Sequence, residues 1–79
     1  MNRTELRNEM LFKLDEYYRN TPNEELPEEY QICVNLELGD VMVVEEFWDC
    51  PDDYVYVILL DLYEETLWDA VEYVFKQNK

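Results

Sequence analysis

The chain has 79 residues, with six Lys and Arg against twenty Asp and Glu, no His, and a formal net charge of −14 at pH 7. Its 48% apolar and 15% aromatic content excludes a disordered acidic tail and leaves one small domain, whose fold hides about 60% of the surface of the unfolded chain. So negative a surface repels nucleic-acid phosphates and anionic headgroups, and the longest apolar run, Tyr54 to Leu60, falls far short of the roughly 20 residues that cross a bilayer; neither direct nucleic-acid binding nor a membrane location is expected.

Residues 2–19 have the pattern of an amphipathic helix. Asn2 and Glu5 stand at capping-box spacing, and Leu6, Met10, Leu11, Leu14, Tyr17 and Tyr18 recur on one face. Glu9 precedes Lys13 by four residues, the favourable order for a helical ion pair, so the cations here have acidic neighbours close by. Thr21-Pro22 ends the helix. The loop that follows carries Glu24, Glu25, Glu28 and Glu29 around Pro27 and is expected at the surface.

From Tyr30 to Leu38 the chain alternates, with Ile32, Val34, Leu36 and Leu38 on one side and Gln31, Cys33, Asn35 and Glu37 on the other, as in a half-buried strand. Gly39-Asp40 then reads as a two-residue hairpin turn, and Val41 to about Trp48 as the second strand. That register sets Ile32 against Phe47 and Val34 against Glu45. It puts Glu45 on the core side, from which a bulge near Glu45-Glu46 is expected to release it.

Asp49 to Asp53 forms the second turn, and Tyr54 to Leu62 the third strand, apolar on both sides over most of its length. Glu64 to about Gln77 is the last helix, with acids at its start and Lys76 and Lys79 at its end, as the helix dipole favours. Leu67, Val71, Val74 and Phe75 share its inner face, widened by Trp68. The fold class is therefore α+β over residues 1–79: a three-stranded antiparallel meander between an N-terminal and a C-terminal helix, in the order α-β-β-β-α.

The residue inventory limits the chemistry. With neither Ser nor His, no Ser-His or Cys-His nucleophile can be built, and no enzymatic activity or cofactor is expected. Cys33 and Cys50 lack CxxC spacing and cannot make a four-ligand zinc site without histidine. They read as small buried or half-buried thiols in a reducing compartment, a Cys33–Cys50 bridge being the alternative. Asp49, Asp52 and Asp53 crowd one turn but have neither the spacing nor the glycine of a calcium loop. No apolar core or small-residue cleavage site follows Met1-Asn2-Arg3, so no signal peptide is expected, and the location expected is cytoplasmic, the host cytoplasm if the chain is phage-encoded.

The strongest signal is a gap. Between Asn20 and Phe75 stand ten Glu and six Asp without one Lys or Arg, a run that arises by chance on the order of once in a thousand. Carboxylates two apart on a strand are about 6 to 7 Å apart, comparable to successive phosphates along a nucleic-acid strand. Tyrosines recur beside them in Asp15-Glu16-Tyr17, Glu28-Glu29-Tyr30, Asp52-Asp53-Tyr54 and Tyr63-Glu64-Glu65, where they can stack on guanidinium groups. The expected partner is a basic nucleic-acid-binding protein. The residues expected to meet it are Glu24, Glu25, Glu28 and Glu29, then Glu45, Glu46, Asp49, Asp52, Asp53 and Tyr54, and finally Glu64 and Glu65.

In size, acidity and its mixture of aromatics with Asp and Glu, the chain resembles the small DNA-mimic inhibitors carried by phages and mobile elements: anti-CRISPR proteins, anti-restriction proteins and uracil-glycosylase inhibitors. One anti-CRISPR family that blocks Cas9 is also similar in element order. The resemblance implies an inhibitor that covers the nucleic-acid-binding site of a Cas effector, nuclease or glycosylase. Leu67-Trp68-Asp69 in turn resembles the L-W-D of barstar-type inhibitors, without the tyrosine-glycine segment that precedes it there, so an immunity protein or antitoxin against a basic nuclease is a second expectation. A third is a homodimeric assembly protein pairing through Met42, Val44, Trp48, Val55, Val57 and Leu59.

Overall fold

A computed structural model describes residues 1–77. Helix α1 (Arg3–Asn20) is followed by strands β1 (Tyr30–Asn35), β2 (Asp40–Val44) and β3 (Val55–Leu59) and by helix α2 (Glu64–Gln77). The α+β class and the order α-β-β-β-α are thus as expected, and the sheet is antiparallel throughout. Lys79, counted in the basic end of the last helix, lies outside the described residues.

The strand order is β2-β1-β3, so the sheet is not a meander. The first strand, not the second, is central, and it is the one strand with a buried run on both faces: Ile32, Cys33, Val34 and Asn35 are all buried. Because β2 and β3 flank β1 and both run against it, residues 45–54 must cross one face of the sheet to start β3 at the far end.

The first hairpin also differs in register. Ile32 faces Val43 and Val34 faces Val41, a shift of four residues from the two-residue turn, so the loop is Leu36 to Gly39. Two local features fix it. The Asn35 side-chain oxygen accepts the Leu38 N–H at 2.9 Å, and Gly39 closes the loop at φ +66, where a side chain is strained. An even shift keeps every residue on its own face. It exchanges Glu45 and Phe47 for Val41 and Val43 opposite β1, so no bulge is needed: β2 ends at Val44 and Glu45 is exposed.

One face of the sheet carries the core. Ile32, Val34, Val41, Val57 and Leu59 pack there against Leu6, Met10 and Leu14 of α1 and Leu67, Ala70, Val71 and Val74 of α2. Tyr17 meets Tyr30 edge-on at 6.1 Å; Tyr18, expected on the same stripe, is exposed. The capping box of Asn2 and Glu5 is formed. Among the described residues the ion pairs are Arg3–Glu72, Arg7–Glu64 and Arg19–Asp15. Two of these cross from α1 to α2, and the expected Glu9–Lys13 pair is not among them.

Candidate functional site

The sheet's other face is built from alternate residues: Gln31, Cys33 and Asn35 of β1, Met42 and Val44 of β2, Tyr56 and Ile58 of β3. The crossover 45–54 lies on this face, because Cys33 and Cys50 form a disulfide with Cα atoms 5.7 Å apart, an ordinary separation for the bond. Neither cysteine is therefore the free thiol first expected. Cys33 is wholly buried because the crossover roofs it, a position that alternation alone marks as outward-facing. Within the crossover, Phe47 to Asp49 make a 3-10 turn, not the end of a strand. The Phe47 ring packs against Trp48 at 5.2 Å and Tyr56 at 6.5 Å. Both crossover aromatics remain open to solvent, Phe47 at 61% and Trp48 at 68%.

The crossover spreads its acids across the face. At one end of the sheet Glu29 and Glu46 lie close to Tyr56, while Glu45, in step with Val41 and Val43, sits at the sheet's end in a recess shared with Glu29, Val43 and Tyr17 of α1. There the Tyr56 hydroxyl donates to Gln31 Oε1 at 2.9 Å; desolvation foremost, then the charges of Glu29 and Glu46, raise its pKa above the usual value. At the other end the Tyr54 hydroxyl donates to Asp40 Oδ2 at 2.5 Å, and Asn35 Nδ2 donates to the backbone oxygen and a carboxylate oxygen of Asp53, both at 3.4 Å. The hydrogen bond to Asp40 foremost, then burial and the charges of Asp40 and Asp53, raise the Tyr54 pKa. Asp49 lies between the ends and Asp52 beside the second. Six residues of β1 set the ends roughly 20 Å apart. Among the described residues no three of these groups converge into a metal-binding cluster.

The expected contact residues divide accordingly. Glu28, Glu29, Glu45, Glu46, Asp49, Asp52, Asp53 and Tyr54 belong to the crossover face or its ends. Glu24 and Glu25 sit in a 3-10 turn on the connection from α1 to β1. Glu64 and Glu65 belong to the first turn of α2, in the helix layer, and Glu64 is held by Arg7. Asp40, Phe47 and Tyr56 join the face although sequence reasoning left them out: Asp40 read as a turn residue and Phe47 as a core residue of β2. For Tyr56 the signal was present, since it alternates in step with Tyr54. The six residues of the expected dimer face do not share a side. Val55, Val57 and Leu59 face the helices, whereas Met42 and Val44 face the crossover, on which Trp48 lies.

Every described Lys and Arg stands on a helix: Arg3, Arg7, Lys13 and Arg19 on α1, Lys76 on α2. The helices cover the core face, so positive charge occupies one layer and the crossover face has none. The molecule is thus a small two-layer α+β protein whose described Lys and Arg are confined to the helix layer, among the acids of α1 and α2. The chain matches no protein-family model, no curated protein and no solved structure.

Proposed function

We propose that this protein is an acidic inhibitor that occupies the cationic nucleic-acid-binding site of a partner protein as a mimic of DNA or RNA, in the manner of anti-CRISPR and anti-restriction proteins. The observation that carries the reading is the crossover face: Glu29 and Glu46 beside Tyr56 and Asp40 and Asp53 beside Tyr54 and Asn35, with exposed aromatics between them and every described Lys and Arg on the helices of the opposite layer. A groove that binds a phosphate backbone offers spaced Arg and Lys. Such a groove gains charge-assisted hydrogen bonds from spaced carboxylates, while Phe47, Trp48 and Tyr56 offer ring faces and edges to guanidinium groups as bases do.

The test is displacement of a labelled duplex from a panel of basic partners: a Cas9-type effector, a restriction enzyme and a uracil-DNA glycosylase. The protein should displace the duplex from at least one of them, with a potency that falls steeply as salt rises. Joint replacement of Glu46, Asp52 and Asp53 by Lys should abolish displacement, and joint replacement of Glu9 and Glu16 on α1 should leave it. Glu5 is unsuitable as a control because its side chain completes the capping box. Displacement from none of the partners, or equal losses from the two sets, would overturn the reading.

A further inference from the structure

β3 is an edge strand: among the described residues β1 flanks it on one side and no strand on the other. Alternate residues of an antiparallel edge turn their N–H and C=O groups outward, where another strand can pair with them. Proteins ordinarily blunt such edges with Lys, Pro or a bulge. Val55-Tyr56-Val57-Ile58-Leu59 has neither residue, and its register with β1 is unbroken.

Beside it runs an open, largely apolar groove of about 440 Å³. One wall takes in five successive residues, Tyr56 to Leu60. Side chains alternate between the faces of a strand, so consecutive lining of this kind marks the rim. The other wall is α2, with Ala70 and the half-exposed ring of Tyr73; Asp69, also on α2, is the one charged residue among those lining the groove.

Charge selects the occupant. A second copy paired antiparallel about Val57 would set Asp61 opposite Asp53 and bring two Asp69 carboxylates to one groove, each copy carrying −14; like charges set opposite one another destabilise a strand pair. An extended segment that alternates apolar residues with Lys or Arg meets neither penalty. We infer that the free edge of β3 and the groove beside it bind such a basic, extended segment of a partner protein as a fourth strand, with apolar side chains against Leu60 and Tyr73 and a cation on Asp69. Tyr56 belongs to both the groove and the crossover face, so a strand docked here would extend the sheet that carries the acids. This goes beyond the mimic reading and does not depend on it.

The probe is a labelled peptide of about seven residues, enough to match a strand of this length, in which Val and Lys alternate. Its binding is followed by anisotropy and by amide shifts in the protein. It should bind saturably and shift the amides of residues 55–60. N-methylation of one alternate set of peptide nitrogens should weaken binding by about tenfold or more, and of the other set should leave it, because only one set faces β3. Asp69→Lys and Leu60→Lys, both at exposed positions, should weaken it as well. Should either variant fail to fold, the N-methylated peptides decide the matter on the unaltered protein. Equal binding of both N-methylated forms, shifts confined to residues 46–53, or a dimer that the peptide does not dissociate would overturn the inference. Duplex displacement by Leu60→Lys reads the crossover face separately, so failure of one idea is distinguishable from failure of the other.

Discussion

The Tyr54 hydroxyl donates a hydrogen bond to Asp40 Oδ2 at 2.5 Å, tying the residue before β3 to the first residue of β2 across the end of the central strand. The bond exists only while the phenol is neutral. Ionisation would break that bond and leave a partly desolvated phenolate beside the charges of Asp40 and Asp53, which is why the Tyr54 pKa is raised above its ordinary value. Because the folded pKa is raised, the stabilisation is complete below the unfolded value of about 10 and is lost as pH climbs through the folded value. Phenolate absorbance, taken as the difference between the native protein and Tyr54→Phe, should show one tyrosine titrating late. Asp40→Asn should bring that titration earlier. A Tyr54 that titrates at the ordinary value in both proteins would contradict the arrangement.

The Cys33–Cys50 bridge closes a sequence separation of 17 and pins the crossover to the central strand. A loop of this size stabilises by about 3 kcal/mol when cross-linked, a large share of the roughly 4 to 12 kcal/mol expected of so small a domain. Cys50→Ala is the suitable variant, since Cys50 is only half-buried and Cys33 is fully enclosed. Its urea midpoint should fall accordingly, and reductant should lower the midpoint of the native protein but not of the variant. Duplex displacement should weaken along with it, since the crossover that presents Glu46 to Asp53 would lose its anchor.

The register of the first hairpin makes opposite claims about two positions four residues apart, Val41 and Glu45. Glu45 is exposed beyond the end of β2, and Val41 is 1% exposed opposite Val34. Glu45→Val should therefore change stability by no more than about 0.5 kcal/mol. Val41→Glu places an unpaired carboxylate in the core and should unfold the domain at neutral pH. Thermal melts followed by circular dichroism separate the two outcomes. The two-residue turn would instead have set Glu45 opposite Val34 at the core, where Glu45→Val would stabilise.

That pair of residues also shows where the sequence is legible. Periodicity gives each element and its inner face, because Leu6, Met10 and Leu14 or Val57 and Leu59 follow from spacing whatever they pack against. Parity survives an even slip, so the faces of β2 are right although its register is not. What alternation cannot convey is which strand is central. Cys33 and Asn35 look like outward positions, and only the crossover, held by a bond between residues far apart in the chain, buries them. The acidic face was legible as a run without cations. Its partition was hidden for the same reason, since Glu64 and Asp52 look equivalent until one meets Arg7 and the other lies across the sheet.

Gly39 stands at φ +66, and a Cβ there would meet only the end of Met1, at 3.9 Å. Space is no obstacle, so the cost of Gly39→Ala is that of the backbone alone, about 1 kcal/mol. Gly39→Asn should cost less, because Asn tolerates the left-handed region. Chemical denaturation of the two variants checks the order. Equal stability of Ala and Gly at this position would place the loop in another conformation.

Salt should act on folding and on partner binding with opposite signs. Two of the three ion pairs are solvent-exposed, Arg3–Glu72 at 54% and 59% and Arg19–Asp15 at 75% and 53%, while in the third the Arg7 side chain is 21% exposed; exposed pairs contribute about 0 to 1 kcal/mol each. Against them stands a net charge of −14, with sixteen acids on the segment between Asn20 and Phe75 where no cation offsets them. Repulsion among those acids acts over about 30 Å at 0.01 M salt and about 8 Å at 0.15 M, so screening removes more repulsion than attraction. Raising salt across that range should lift Tm, and a gain of 1 kcal/mol corresponds to about 4 to 8 °C in a domain of this size. Over the same range duplex displacement should weaken, since there the charges are of opposite sign. A Tm that falls with salt would mean that local pairs such as Arg7–Glu64 outweigh the collective repulsion, and the acids of the crossover face would then not be the uncompensated surface that a cationic groove requires.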